Sequence, residues 1–192
     1  AFCERFYPVL QDYFPEQLAD VTVEQFYRGI NKVEPSLIRT EADELTYHFH
    51  IMIRYELEKA LLEGALQVKD IPAYWNEQYY RYLGVVVPDD TRGCLQDVHW
   101  SHGSFGYFPT YSLGSFYASQ FYHAANQSIP NLEAQIQKGD TSALLSWLSK
   151  RVHRFGRKYI SEDLSREVSG ETLNIQYFIQ YATGKYKYIY DF

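Results

Sequence analysis

The chain has 192 residues, 46% apolar and 22% charged, with a net charge of −6 at pH 7. That is enough apolar mass for a sizeable core, and it excludes a disordered segment, a collagen repeat and a disulfide scaffold. The acidic balance argues against an unaided nucleic-acid binder, and no run of 18 apolar residues offers a membrane span.

Helical periodicity dominates from the start. Residues 2–14 (FCERFYPVLQDYF) read as a helix that kinks or restarts at Pro8. Thr22 and Gln25 form a capping box for a helix over 22–32. Residues 33–40 (VEPSLIRT) read as extended. The clearest helix runs over 40–63, with Thr40 and Asp43 as its capping pair. Ala42, Leu45, Phe49, Met52 and Ile53 share one arc of that helix. Asp43, Tyr47, His50 and Arg54 lie opposite, facing either water or a polar cleft.

Pro72 opens a helix over 71–83, and an irregular stretch from Gly84 to about Tyr107 follows. A structureless stretch of that length, rich in aromatic and His residues, points to function. Pro109 starts a helix over 110–127 that carries Ser112, Ser115 and Ser119 on one face. Further helices are expected at about 131–138, 141–155, 161–168 and 172–187. No repeat or linker interrupts the pattern, so residues 1–192 read as one mainly α region with very little β.

Nineteen Tyr, twelve Phe and three Trp make the chain 18% aromatic. Tyrosine joins an apolar body to a polar tip, which suits a wet cleft or an interface as well as a core. Cys3 and Cys94 form no CxxC, which reads as a reduced, cytoplasmic protein, although a disulfide between them is open on parity. Ala1 stands where a Met would start a gene product, so part of a longer chain is expected.

Several groups could carry chemistry. Glu44 and His48 could share a metal or form a solvated contact. Cys94, Asp97, His99 and His102 offer ligand types but no closed zinc spacing. Arg39 either pairs locally with Glu41 or Asp43 or binds a ligand carboxylate through its fork. His99, Tyr107 and Tyr111 either stabilise a developing oxyanion or simply pack. No HExxH motif is present.

The blocks IRTEADELTYHFHIMIRYELEKALLEG (38–64) and GCLQDVHWSHGSFGYFPTYSLG (93–114) resemble signature blocks of the thermostable metallocarboxypeptidases, the M32 peptidase family. Residues 71–90 and the aromatic C-terminal helix share the likeness. The resemblance implies the C-terminal portion of a helical, gluzincin-like metallopeptidase with a deep groove. Such enzymes release single residues from peptide C-termini, with zinc or cobalt held by an HExxH helix and a further Glu. Those ligands are missing from this sequence, so the chain is expected to hold no metal and to be inactive alone.

By the same resemblance, Arg39 reads the peptide carboxylate, and Asp43 and His50 order the substrate-binding wall. His99, Tyr107 and Tyr111 serve the oxyanion. Peptides with a free C-terminus are the expected partners, with a homodimer as the expected assembly and no nucleic acid or membrane. The alternative is a non-catalytic helical peptide-binding module, and a remoter one is a small metal protein built on Cys94, His99 and His102. Tyr47, Tyr107 and Tyr111 are expected to line a cleft. Tyr74, Tyr79, Tyr80, Tyr177 and Tyr181 are expected to pack between helices.

Overall fold

A computed structural model describes residues 2–192 of the chain, with side chains from Cys3 onward. Among the described residues the regular structure is helical, with no strand. The helices are α1 (Phe2–Tyr13), α2 (Val23–Ile30), α3 (Thr46–Leu62), α4 (Ile71–Leu83), α5 (Pro109–Ser128), α6 (Leu132–Gln137), α7 (Ser142–Arg151), α8 (Ser161–Ser169) and α9 (Gln176–Tyr190). Contacts gather into two compact units, one of residues 31–114 and one of the chain up to Ile30 with Ser115–Phe192. The boundary falls inside α5.

Local signals place most helix ends. Thr22 and Gln25 close their capping box: the Gln25 side chain accepts from the Thr22 N–H at 2.8 Å, and Thr22 Oγ1 accepts from the Gln25 N–H at 3.2 Å. Pro72 lies in the first turn of α4, where its missing N–H costs nothing. Gly84 ends α4 at φ 68°, a left-handed value that favours glycine, and its N–H returns to Tyr80 O. Pro8 sits inside α1, which runs through it.

Three expectations need correction. Helix α3 starts at Thr46, not near residue 40, and Arg39–Glu41 form a separate 3-10 turn. The reason is Asp43: its carboxylate accepts from the N–H groups of Leu45 and Thr46 and from the Thr46 hydroxyl, so it caps from outside the helix. The extended stretch 33–40 pairs with nothing as a strand. Helix α9 starts at Gln176 rather than 172, because the Gln120 side chain takes the Asn174 N–H and donates to Thr172 O, holding both residues outside the helix.

In the unit of residues 31–114, Ile53 and Leu57 of α3 pack with Trp75, Tyr79 and Leu83 of α4 and with Cys94. The inward stripe of α3 is Thr46, His50, Ile53, Arg54, Leu57 and Glu58, while Phe49 and Met52 are 39% and 42% exposed. Of the two settings left open for the His50–Arg54 side, it faces inward rather than to water, while of the apolar arc Ile53 is buried and Phe49 and Met52 are exposed. Thr46, Arg54 and Glu58 can be buried there because each finds partners, and His50 is held through Nδ1. Arg54 lies 4.6 Å over the Trp75 ring, and Trp75 stacks on Tyr79 at 4.9 Å.

The other unit buries Tyr7, Ala125, Leu132, Val168, Phe178, Ala182, Tyr186 and Ile189. Gln120 is fully buried and donates to Ser165 Oγ, Ser169 Oγ and Thr172 O. Arg28 of α2 reaches Ile189 O at 2.6 Å and Asp191 at 2.9 Å. Both cysteines are free thiols. Tyr79 is fully buried as expected, but Tyr80 and Tyr181 are 66% and 46% exposed, because they point away from the packed sides of α4 and α9.

Candidate functional site

The candidate residues all belong to the unit of residues 31–114. At their centre is Asp97, a buried carboxylate held between two arginines. Arg39 donates to Asp97 Oδ1 from Nε at 2.9 Å and from Nη2 at 2.7 Å. Arg54 donates to Asp97 Oδ2 from Nε at 2.7 Å, with Nη2 at 2.6 Å. The preceding residue ties the same two elements: Gln96 Oε1 accepts from the Arg39 backbone N–H and from Arg54 Nη2, both at 2.9 Å. Arg39 therefore pairs with Asp97, not with Glu41 or Asp43, which corrects the local pairing considered from the sequence.

Two guanidinium charges on one carboxylate leave the cluster with an excess of one positive charge. Burial works against ionising Asp97, but Arg54 and Arg39 outweigh it and hold its pKa below the usual carboxylate value. Burial likewise disfavours charged Arg39, and Asp97 reverses that.

The Arg39 guanidinium sits 5.1 Å over the Tyr111 ring, and its Nη1 donates to the Tyr47 hydroxyl at 3.2 Å. Next to it, His99 Nε2 and the Tyr111 hydroxyl are 2.9 Å apart. The His99 ring packs on Phe108 at 4.3 Å. Its Nδ1 is buried without a hydrogen-bond partner, 4.0 Å from Asp97 Oδ1. Burial lowers the His99 pKa against the pull of Asp97 and raises that of Tyr111. Both are therefore neutral at pH 7. Tyr107 stands half-exposed, 5.5 Å from Tyr111 and 6.0 Å from His99 by ring centroids.

The structure thus brings Arg39, His99, Tyr107 and Tyr111 together. Asp43 instead spends its oxygens on the start of α3 and on the Glu34 N–H, and those bonds hold its pKa down against its burial. His50 is fully buried, with Nδ1 at 2.9 Å from the Tyr79 hydroxyl and Nε2 without a partner. Burial, helped by Arg54 and Arg39, pushes its pKa down to about 4.

Sequence reasoning missed two supports. Glu58 accepts from Trp100 Nε1 at 2.8 Å and from the Gly106 N–H at 2.9 Å, pinning the loop that carries His99. Asp97 was weighed only as a metal ligand, and its role as a clamp needs partners 58 and 43 residues away. The one signal available was Gln96-Asp97 lying just before His99.

Among the described residues no group of three or more His, Cys, Asp or Glu could hold a metal ion. Cys94 is in the apolar core, Asp97 is taken by the arginines, and His48 Nδ1 meets Ser112 Oγ at 2.9 Å. No helix among these residues is long and apolar enough to cross a membrane.

Among the described residues the fold is helical and strand-free, with two buried arginines around one carboxylate beside a paired imidazole and phenol. Comparison makes the assignment specific. The chain belongs to the Carboxypeptidase Taq (M32) metallopeptidase family, whose model matches residues 1–186. It is 41% identical over 189 residues to carboxypeptidase 1 of Bacillus subtilis and 43% identical over 189 residues to thermostable carboxypeptidase 1 of Thermus thermophilus. These alignments cover 98% of this chain but 38% and 37% of the relatives, so the chain spans well under half their length. The crystal structure of an M32 carboxypeptidase from Deinococcus radiodurans superposes with a TM-score of 0.95 at 42% identity, covering 100% of this chain and 39% of that one. The family is one of metallopeptidases.

Proposed function

We propose that this chain forms the substrate-binding and oxyanion-stabilising wall of a metallocarboxypeptidase that releases single residues from peptide C-termini. The observation that carries this reading is the excess positive charge of the Arg39–Asp97–Arg54 cluster beside the His99–Tyr111 pair. An exopeptidase must recognise a free carboxylate, and an ordered guanidinium does so with both charge and shape. Arg39 binds the terminal carboxylate. Tyr107 and Tyr111 offer hydroxyl donors to the tetrahedral oxyanion, and His99 serves it by donating Nε2–H to the Tyr111 oxygen, which leaves the Tyr111 proton free. Each donor to the oxyanion is worth on the order of 10²-fold or more in rate. Asp43 and His50 act behind that wall, by fixing the start of α3 and filling the interior.

In this reading zinc or cobalt is held by residues outside this sequence, the enzyme is cytoplasmic, and two copies associate. The chain alone is then expected to bind no stoichiometric zinc or cobalt and to release no amino acid. Metal analysis and an amino-acid release assay check this, and a positive result in either overturns it. A chimaera in which this chain replaces the matching region of the B. subtilis relative tests the active form. There, Arg39→Ala should raise KM and lower kcat/KM for a free-acid peptide. Equal loss on the acid and on its C-terminal amide would remove Arg39 as the carboxylate reader.

A further inference from the structure

Arginine carries one N–H on Nε and two on each terminal nitrogen. In Arg39, Nε and one hydrogen of Nη2 go to Asp97 Oδ1, and one hydrogen of Nη1 goes to the Tyr47 hydroxyl. One hydrogen on each terminal nitrogen is left by these bonds, and a guanidinium spans the two oxygens of a carboxylate with one N–H from each terminal nitrogen, the fork meant here. We propose that Asp97 and Tyr47 are positioning residues that fix the Arg39 guanidinium with this fork turned to the peptide's terminal carboxylate. The inference rests on the reading of Arg39 given above.

Three observations support it. Asp97 is itself immobilised from the far side by Arg54, through bonds of 2.7 and 2.6 Å. Gln96 fixes the Arg39 backbone through its N–H at 2.9 Å. The Tyr111 ring then supports one face of the guanidinium. An unrestrained arginine would have to be ordered by its ligand, at a cost in affinity, whereas here the ordering is complete beforehand. Tyr47 adds a second function, because a hydroxyl that accepts from Arg39 keeps its own O–H to donate to the same carboxylate.

The test turns on a sign. If Asp97 only offset charge, Asp97→Asn would make the site more positive and tighten carboxylate binding. If Asp97 positions the fork, the same variant loosens binding although the site is more positive. The probes are N-acetylglycylalanine and its C-terminal amide, titrated into the 15N-labelled chain and followed by NMR. The expected result is that the unaltered chain prefers the acid, and that Asp97→Asn weakens acid binding by about tenfold and abolishes the preference.

Tyr47→Phe is the milder variant and decides the matter if Asp97→Asn does not give a folded spectrum. It should weaken the acid by about threefold and leave the amide unchanged. A folded Asp97→Asn chain that binds the acid equally or more tightly overturns the positioning role, as does an unaltered acid affinity in Tyr47→Phe when that variant decides. If the unaltered chain shows no preference for the acid, or Arg39→Ala leaves binding unchanged, the reading of Arg39 itself fails.

Discussion

The two compact units are both helical, but they bury different chemistry. In residues 31–114 the interior holds Arg39, Thr46, His50, Arg54, Glu58, Gln78 and His99. In the other unit the buried polar side chains are Gln120 and Ser165, and the ion pairs lie outside, as in Arg28–Asp191 and Arg166–Asp163. The second arrangement is the ordinary way to stabilise helices: apolar contacts inside, screened charges outside. The first is expensive, because a buried charge is tolerated only when paired and hydrogen-bonded. Such a cluster is weak evidence for stability and better evidence for a site whose geometry matters.

The largest predicted effect follows from that cost. Asp97→Asn leaves two buried guanidiniums without a counter-charge, and it should destabilise the chain by about 3–5 kcal/mol, measured by urea unfolding. A loss below about 1 kcal/mol would mean that the cluster is solvated and that the contrast between units is illusory.

A pH effect of similar size should separate the units further. His50 has a folded pKa of about 4 against 6.5 for the free side chain, so the unfolded chain binds the proton more readily. Its contribution is therefore present above pH 6.5 and is lost as pH falls from 6.5 towards 4. It amounts to about 3 kcal/mol. His48 and His99, also lowered by burial, act in the same direction. Comparing urea midpoints at pH 7 and pH 5 in the unaltered chain and in His50→Gln measures the His50 share. Equal pH slopes would assign the loss elsewhere.

In the other unit, Gln120→Leu strips partners from Thr172 O and the Asn174 N–H and should cost about 1–3 kcal/mol, with faster amide exchange at Asn174. The smallest effect belongs to Arg28→Gln. Its pairs with Glu24 and Asp191 are exposed, so the loss should be slight and should shrink further in added salt. A large, salt-independent loss would place a buried electrostatic site in this unit too.

The legibility of the chain differed in the same way. Helices bounded by local chemistry were readable: the Thr22–Gln25 box, Pro72 and Pro109 at helix starts, and Gly84 and Gly170 at helix ends. Of the site, Arg39, His99, Tyr107 and Tyr111 were reached through the two blocks shared with the family, and they do converge. The inward face of α3 was left open between two settings. Apolar residues occur all round that helix, so periodicity alone gave no reliable inward direction.

From the sequence alone came the helical class, most helix ends and the family, because capping, proline and glycine act within a few residues and long motifs persist as strings. The tertiary structure alone decided that His50 and Arg54 face inward and that Asp97 clamps Arg39. The physical reason is that a polar side chain can be buried only when its partners arrive, and Asp97, Gln96 and Tyr79 arrive from sequence positions too distant for any local pattern to register.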